Sequence, residues 1–358
     1  MSNLLFAGDV VITSPQTNFL DNKISELIQS HDLVSCNLEA PVVSGAPAIA
    51  KIGPAIEQPK ASIDLLKKAG FNFFNLANNH IMDHGSVGLA KTLEQLSDVQ
   101  HIGAGPDYAS TYKLLKRTVD GTTFGFLSLA EWGFGALDTT NDTGFAWINH
   151  PKVNDLVKQS AQQVDHLIIQ AHCGVEDTSL PLPEWQERYR ELIRLGANVI
   201  IGHHTHTVQG MEEYANGLIF YSLGNFYFEK YGADSEWYEG ALLSLTYAQK
   251  KLTNWEIIPT QAKQTITLDT RPERITRFVD RSKITTKKVD EMLLSLWYER
   301  YQHFFQRSLG GFSTLRGFVK SIINRMMGTQ VDYLLLSHNL NIESHRYVAA
   351  RISKLLSE

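Results

Sequence analysis

Residues 198-NVIIGHHTHTVQG-210 put His203, His204 and His206 on one turn directly behind a short β-branched apolar run. Three imidazoles within four positions are hard to satisfy by hydrogen bonding alone, and neutral imidazole is a ligand type that borderline divalent cations accept. Other chemistry-bearing residues follow apolar runs in the same way. Asp9 follows 4-LLFA-7, Glu39 follows 33-LVSC-36, Asn78, Asn79 and His80 follow 73-FFNL-76, and His172 follows 167-LIIQ-170. Carboxylates, an amide and imidazoles form a set that suits one or two divalent cations, and a shared carboxylate can bridge two ions about 3.5 to 4 Å apart. Singly, each residue also has a plain structural role: Asp9 as a turn or helix cap, Glu39 as a loop charge ahead of Pro41, Asn79 as a turn residue, His172 as a hydrogen-bonded interior imidazole. The metal reading therefore rests on their joint placement. His204 and His206, one residue apart, reach neighbouring ions only if the backbone there is irregular.

Such a set needs elements that bring strand ends together. Periodicity predicts strands at 4–7, 33–37, 71–76, 124–129, 166–170, 198–201, 218–222, 241–247 and 252–259, and helices near 18–29, 61–69, 85–96, 151–163 and 183–195. Strand–helix alternation with a strand-rich end predicts an α/β layered domain with mixed sheets, and such sheets assemble sites at the carboxyl ends of their strands. The 358 residues, 43% hydrophobic and 20% charged, suffice for one large domain or two smaller ones. Cys36 and Cys173 are too few for a disulfide framework, and MSNLLFAGDV reads as neither a secretory signal nor a membrane span, so a cytoplasmic location is expected. A net charge of -5 gives no general drive toward nucleic acid. From Asp280 onward, however, 12 Lys and Arg stand against 7 Asp and Glu, which suggests two modules, 1–265 and 280–358.

Taken in order, Gly8-Asp9, 37-NLE-39, 78-NNHIMDHG-85, 172-HCGVE-176, 202-GHHTH-206 and 221-YSLGNF-226 resemble the CapA (poly-γ-glutamate capsule synthesis) family of the calcineurin-like metallophosphoesterase superfamily. The resemblance spans roughly residues 3–260 and implies a bacterial capsule-biosynthesis protein with a four-layer α/β/β/α sandwich followed by a C-terminal helical extension. It also implies a centre for one or two divalent metals (Mn, Fe or Zn). Carried over residue by residue, Asp9 and His206 hold the first metal, Glu39 takes the bridging place, and Asn79, His172 and His204 complete the second site. His80 matches the imidazole that faces the scissile phosphate, with Asp83 or Glu176 to orient it. This chain departs from the superfamily pattern in three places. Val11 stands where an imidazole is usual, Glu39 replaces an aspartate, and Cys173 replaces an aromatic residue, either as a soft ligand or as a small apolar core residue. His203 is the spare histidine, expected behind the ligands or facing solvent, and Asn225 is placed to hydrogen-bond into the site.

These readings predict a metal-dependent hydrolase that cleaves a phosphoester with metal-activated water while His80 assists the leaving group. Two alternatives stand beside it: a γ-glutamyl or amide hydrolase, and a non-catalytic metal-binding assembly factor for exported polyglutamate or polysaccharide. The expected ligand is a phosphorylated or polyanionic small molecule or polymer. None of the six motifs lies beyond residue 280, where 287–309 is helix-like and 315-LRGFVKSIINRMMG-328 carries an apolar stripe. That extension is expected to serve contact: with its own sandwich, in a homodimer, or at a membrane surface.

Overall fold

The first strand, Ser2–Val11, carries apolar side chains on both faces, so it has to be covered from both sides. In the computed structural model, which describes residues 1–16, 18–138, 142–229, 235–308 and 333–357, Leu4 and Phe6 enter one core and Leu5 and Ala7 another. The same alternation continues in the neighbouring strands. Leu33 and Phe73 join Phe6, whereas Val34, Cys36 and Phe74 join Leu5.

Two large sheets result. The eight-stranded sheet runs Ile266–Leu268, Lys251–Ala262, Glu239–Ala248, Ser2–Val11, Leu33–Leu38, Phe73–Asn75 and Gln100–Ile102, with Asn225–Phe228 paired parallel to the end of the first strand. The six-stranded sheet runs Met211–Tyr214, Gly217–Phe220, Val199–His203, His166–His172, Thr122–Ala130 and Leu115–Val119. Phe6 and Phe73 of the first sheet meet Phe126, Ile168 and Ile201 of the second in the inner core. The helices Asn22–Gln29, Lys60–Ala69 and Gly85–Gln95 cover the outer face of the first sheet through Ile24, Ile63 and Leu89. Val153–Ala161 and Pro183–Arg194 cover the second through Val157 and Trp185. The architecture is thus a mixed α/β fold in which two sheets face each other and each is backed by helices.

Local chemistry sets several boundaries. The first helix begins at Asn22 rather than Asn18 because the Asp21 side chain accepts the Ile24 N–H at 2.8 Å, capping the helix there. The described part of the 287–309 region forms the helices Thr286–Leu296 and Gln302–Ser308, joined by one widened turn over Trp297–Tyr301. Tyr333–Asn341 and Glu343–Ser357 follow. Val289, Leu293, Tyr301, Val348 and Ile352 are buried in the outer core of the second sheet, beside Trp185 and Tyr189. The described C-terminal helices therefore share a core with the sandwich. The apolar stripe at 315–327 lies outside the described residues. No helix among the described residues is long and apolar enough to cross a membrane.

Candidate metal centre

Parallel pairing fixes where the strands deliver their polar ends. In the first sheet Asp9 is aligned with Asn225 on one side and Asn37 on the other, and Asn37 with Asn75. In the second, His172 is aligned with His203 and with Ala130. Apart from Asn225, which begins its strand, both rows lie at carboxyl ends, so loops from the two sheets converge. Two glycines permit the close approach this needs: a Cβ on Gly8 would sit 1.9 Å from the Gly224 carbonyl oxygen, and one on Gly202 would sit 1.8 Å from that of Tyr221. Gly202→Ala is therefore expected to destabilise the protein by about 3 kcal/mol, the upper end of overpacking costs, because the obstruction is backbone. Urea unfolding measures this; a loss below about 1 kcal/mol would mean the strands part without penalty there.

Beyond Gly202 the chain turns sharply. His204 and His206 both adopt positive φ, 87° and 56°, a left-handed conformation that costs non-glycine residues energy and is concentrated at functional sites. This is the irregular backbone that ligation by both histidines requires. Asp9 accepts the His204 N–H at 3.0 Å on one oxygen and the Asn37 amide at 2.7 Å on the other, while Asn75 donates to Asn37 at 2.8 Å. Burial opposes ionisation of Asp9, but His203, His206 and the Asn37 amide more than offset it and hold the carboxyl below its usual range.

Ligand-capable atoms of Glu39, His172 and His204 lie within 4.8 Å of one another, and so do those of Asp9, Glu39 and His206. Glu39 belongs to both groups. His172 Nε2 lies 2.9 Å from Asn79 Oδ1 and 3.5 Å from a Glu39 oxygen. Both Glu39 oxygens are fully buried and lack a hydrogen-bond partner, as does His204 Nδ1. Burial and the carboxylates of Asp9, Glu176 and Asp83 push the Glu39 carboxyl well above its ordinary value. Burial, with the neighbouring imidazoles, holds His172 well below its own. A buried carboxylate without a donor is costly, and the His172 imidazole beside it, disfavoured as a cation, matches with it the donor set of a divalent cation. The residues fit such ions.

The other candidates take distinct places. His80 Nδ1 bonds Asp83 Oδ2 at 2.7 Å, and Asp83 is itself held by Lys51 and by the Ile56 N–H. Of the two carboxylates considered for orienting His80, Asp83 makes the contact; Glu176 is instead paired with Arg300 at 3.1 Å. Burial lowers the His80 pKa despite Asp83. His203 is fully buried rather than solvent-facing, 3.5 Å from Asp9. Asn225 Oδ1 lies 2.9 Å from His206 Nδ1. Val11 is buried at the end of the first strand, and Cys173 lies in the outer core of the second sheet.

One buried carboxylate escaped the sequence reading. Glu131, the residue after Thr122–Ala130, places Oε1 3.1 Å from His204 Nε2. The strand-end rule that selects Asp9 and His172 would have found it had that strand been carried past Leu129.

A cavity of about 170 Å³ opens beside Asn79 and His80, and Lys51, Phe134, Arg300 and Asn339 also line it. Two of these, Arg300 and Asn339, come from the C-terminal helical region, where sequence reasoning placed no site residue.

Residues 3–230 match the family described as Bacterial capsule synthesis protein PGA_cap. The capsule biosynthesis protein CapA of Bacillus anthracis is 30% identical over 60% of this chain and 54% of its own length. The PGA biosynthesis protein CapA of Bacillus subtilis (strain 168) is 29% identical over 63% of each chain. This chain thus spans less than two thirds of either relative. Solved structures are similar at a looser level. A hypothetical protein from Thermus thermophilus has 14% identity and a TM-score of 0.49, covering 73% of this chain and 100% of that one. The NAD nucleotidase of Haemophilus influenzae has 14% identity and a TM-score of 0.46, covering 86% and 69%.

Proposed function

This chain belongs to the Bacterial capsule synthesis protein PGA_cap family, and from that premise we propose that its buried cluster is a metal-dependent hydrolytic centre acting on a phosphoester. The observation that carries the reading is Glu39: a fully buried carboxylate with no hydrogen-bond partner, shared by two groups of ligand-capable side chains. In this proposal Asn79, His172 and His204 would hold one ion and Asp9 and His206 the other, with Glu39 available to both. The ions would supply Lewis-acid polarisation and lower the pKa of the attacking water.

The chain's own residues perform the rest. Asp83 holds His80 through Nδ1, which leaves Nε2 to exchange a proton with the leaving oxygen. Lys51 and Arg300 line the cavity beside His80, paired with Asp83 and Glu176, and their remaining N–H groups would donate to a phosphorylated or otherwise anionic substrate. Phe134, Tyr301 and Phe304 add apolar wall to the same cavity. A non-catalytic assembly role has one observation in its favour: both Asp9 oxygens are already engaged, by Asn37 and by the His204 N–H, which weakens the first metal position.

Metal analysis of the purified protein, followed by phosphoester and γ-glutamyl substrates with added Mn²⁺, separates the readings. The expected result is phosphoester turnover that a chelator abolishes and Mn²⁺ restores. Full metal occupancy with no turnover of any substrate would favour the assembly role, and turnover of the γ-glutamyl substrates alone would favour amide chemistry.

A further inference from the structure

Glu131 stands apart from the ligand groups yet touches one of them. Its backbone N–H donates to the His172 carbonyl at 3.1 Å, so the pairing of Thr122–Ala130 with His166–His172 sets its position. Its side chain is 4% exposed. Oε1 lies 3.1 Å from His204 Nε2, and Oε2 accepts from both the Ser344 N–H at 2.8 Å and the Ser344 hydroxyl at 2.5 Å.

Ser344 is the second residue of the 15-residue helix Glu343–Ser357, so the carboxylate sits at a helix N-terminus, where backbone N–H groups favour negative charge. That helix start is itself fastened from several directions. Trp185 Nε1 donates to the Ser344 hydroxyl at 2.9 Å. The Glu343 carboxylate accepts from Trp132 N–H at 2.9 Å, Trp147 Nε1 at 3.1 Å and Asn149 Nδ2 at 2.8 Å, and the Glu343 N–H returns a bond to the Trp132 carbonyl at 3.2 Å. Residues 343–344 lie well past the family-matched region 3–230.

We infer that Glu131 is a positioning residue that fixes the His204 tautomer for metal binding, and that the terminal helix holds Glu131 in place through Ser344. The chemistry is direct. Glu131 Oε1, which has no hydrogen bond elsewhere, lies 3.1 Å from Nε2 and draws the imidazole proton to that nitrogen, which leaves free the lone pair of Nδ1, likewise buried without a partner. The C-terminal helices thereby belong to the metal centre although they supply none of its ligands. A partner or modification that shifts the terminal helix would change metal affinity without touching a ligand.

The inference rests on the metal-centre reading, and the experiment keeps the two apart. Mn²⁺ affinity is measured by calorimetry on the full-length wild type, Glu131→Gln and Ser344→Ala, together with the melting temperature of each metal-free protein and the ¹⁵N-histidine spectrum. Glu131→Gln is expected to weaken Mn²⁺ binding roughly 10- to 100-fold, the usual effect of losing such an outer carboxylate. Its metal-free melting temperature should stay near that of the wild type, while the His204 ring signals move away from an Nε2–H tautomer. Ser344→Ala, which leaves the Ser344 N–H in place, should weaken binding less, in the same direction. Wild-type affinity in both variants would overturn the inference while leaving the metal centre standing. An Nδ1–H tautomer for His204 in the wild type would also overturn it. No Mn²⁺ binding by the wild type would instead refute the underlying metal reading. Should Glu131→Gln fail to fold, the Ser344→Ala affinity and the wild-type tautomer decide the matter alone.

Discussion

His204→Ala is expected to lose both bound metal and turnover, whereas His80→Ala should keep its metal and lose only turnover. His204 supplies the nitrogen that completes the group with Glu39 and His172, so its removal takes away a direct ligand. The affinity loss should exceed the roughly 100-fold that an outer-shell change produces. His80 has its Nδ1 committed to Asp83, lines the cavity and stands outside both ligand groups. Its removal should lower kcat about 10²- to 10⁴-fold, the range for a positioned acid or base. Metal content by elemental analysis, with kcat on a phosphoester, checks both. Equal metal loss in the two variants would show that His80 is a ligand rather than a proton carrier.

Deleting residues 283–358 should have an effect of comparable size on the fold. Val289, Leu293, Tyr301, Val348 and Ile352 are buried against Trp185 and Tyr189, and removing them uncovers the outer face of the second sheet. At about 1.5–3 kcal/mol per buried apolar side chain, the loss is on the order of 10 kcal/mol, comparable to the entire stability of many domains. The truncated protein is expected to expose apolar surface, aggregate, and retain little metal, because Ser344 and with it the support of Glu131 are gone. A soluble monomer with a cooperative melt and wild-type Mn²⁺ affinity would show the extension to be a separable module.

That expectation goes further than the one that the sequence alone suggests, in which the extension makes contacts but takes no part in the metal centre, and the reason is physical. The charge shift at Asp280 and the lack of motifs beyond it mark a change in composition. They say nothing of packing: the contact that ties the extension to the centre joins Ser344 to Glu131, 213 residues earlier. No local pattern announces a partner at that distance. Arg300 is hidden for a similar reason, since it sits within the single widened turn Trp297–Tyr301 of an otherwise ordinary helical sequence and pairs with Glu176, 124 residues earlier.

The central strands were legible because they are apolar on both faces, and helix alternation fixed the layered class. The strands left out were the edges of both large sheets, Leu115–Val119 and Met211–Tyr214 in the six-stranded one and Gln100–Ile102 and Ile266–Leu268 in the eight-stranded one, together with the adjunct Asn225–Phe228 and the short strands Ala104–Gly105, Ala136–Leu137 and Gly144–Ala146. Edge strands carry charge on their open side, as Lys116 and Arg117 or Glu212 and Glu213 do, so the alternation that betrays a strand is blurred. Asp9, Glu39, Asn79, His172, His204 and His206 were visible because each follows an apolar run, and parallel register then brings such ends to one place. His203 was harder to place: adjacent to two ligand candidates, it ends the strand Val199–His203 and turns inward beside Asp9.

The most direct test of the account is to locate manganese in crystals grown with saturating Mn²⁺, using its anomalous scattering. The account predicts a strong peak within bonding distance of Glu39, Asn79, His172 and His204, and a second, weaker one between Glu39, Asp9 and His206. Saturated crystals with no peak at Glu39, or with manganese held only elsewhere, would contradict it.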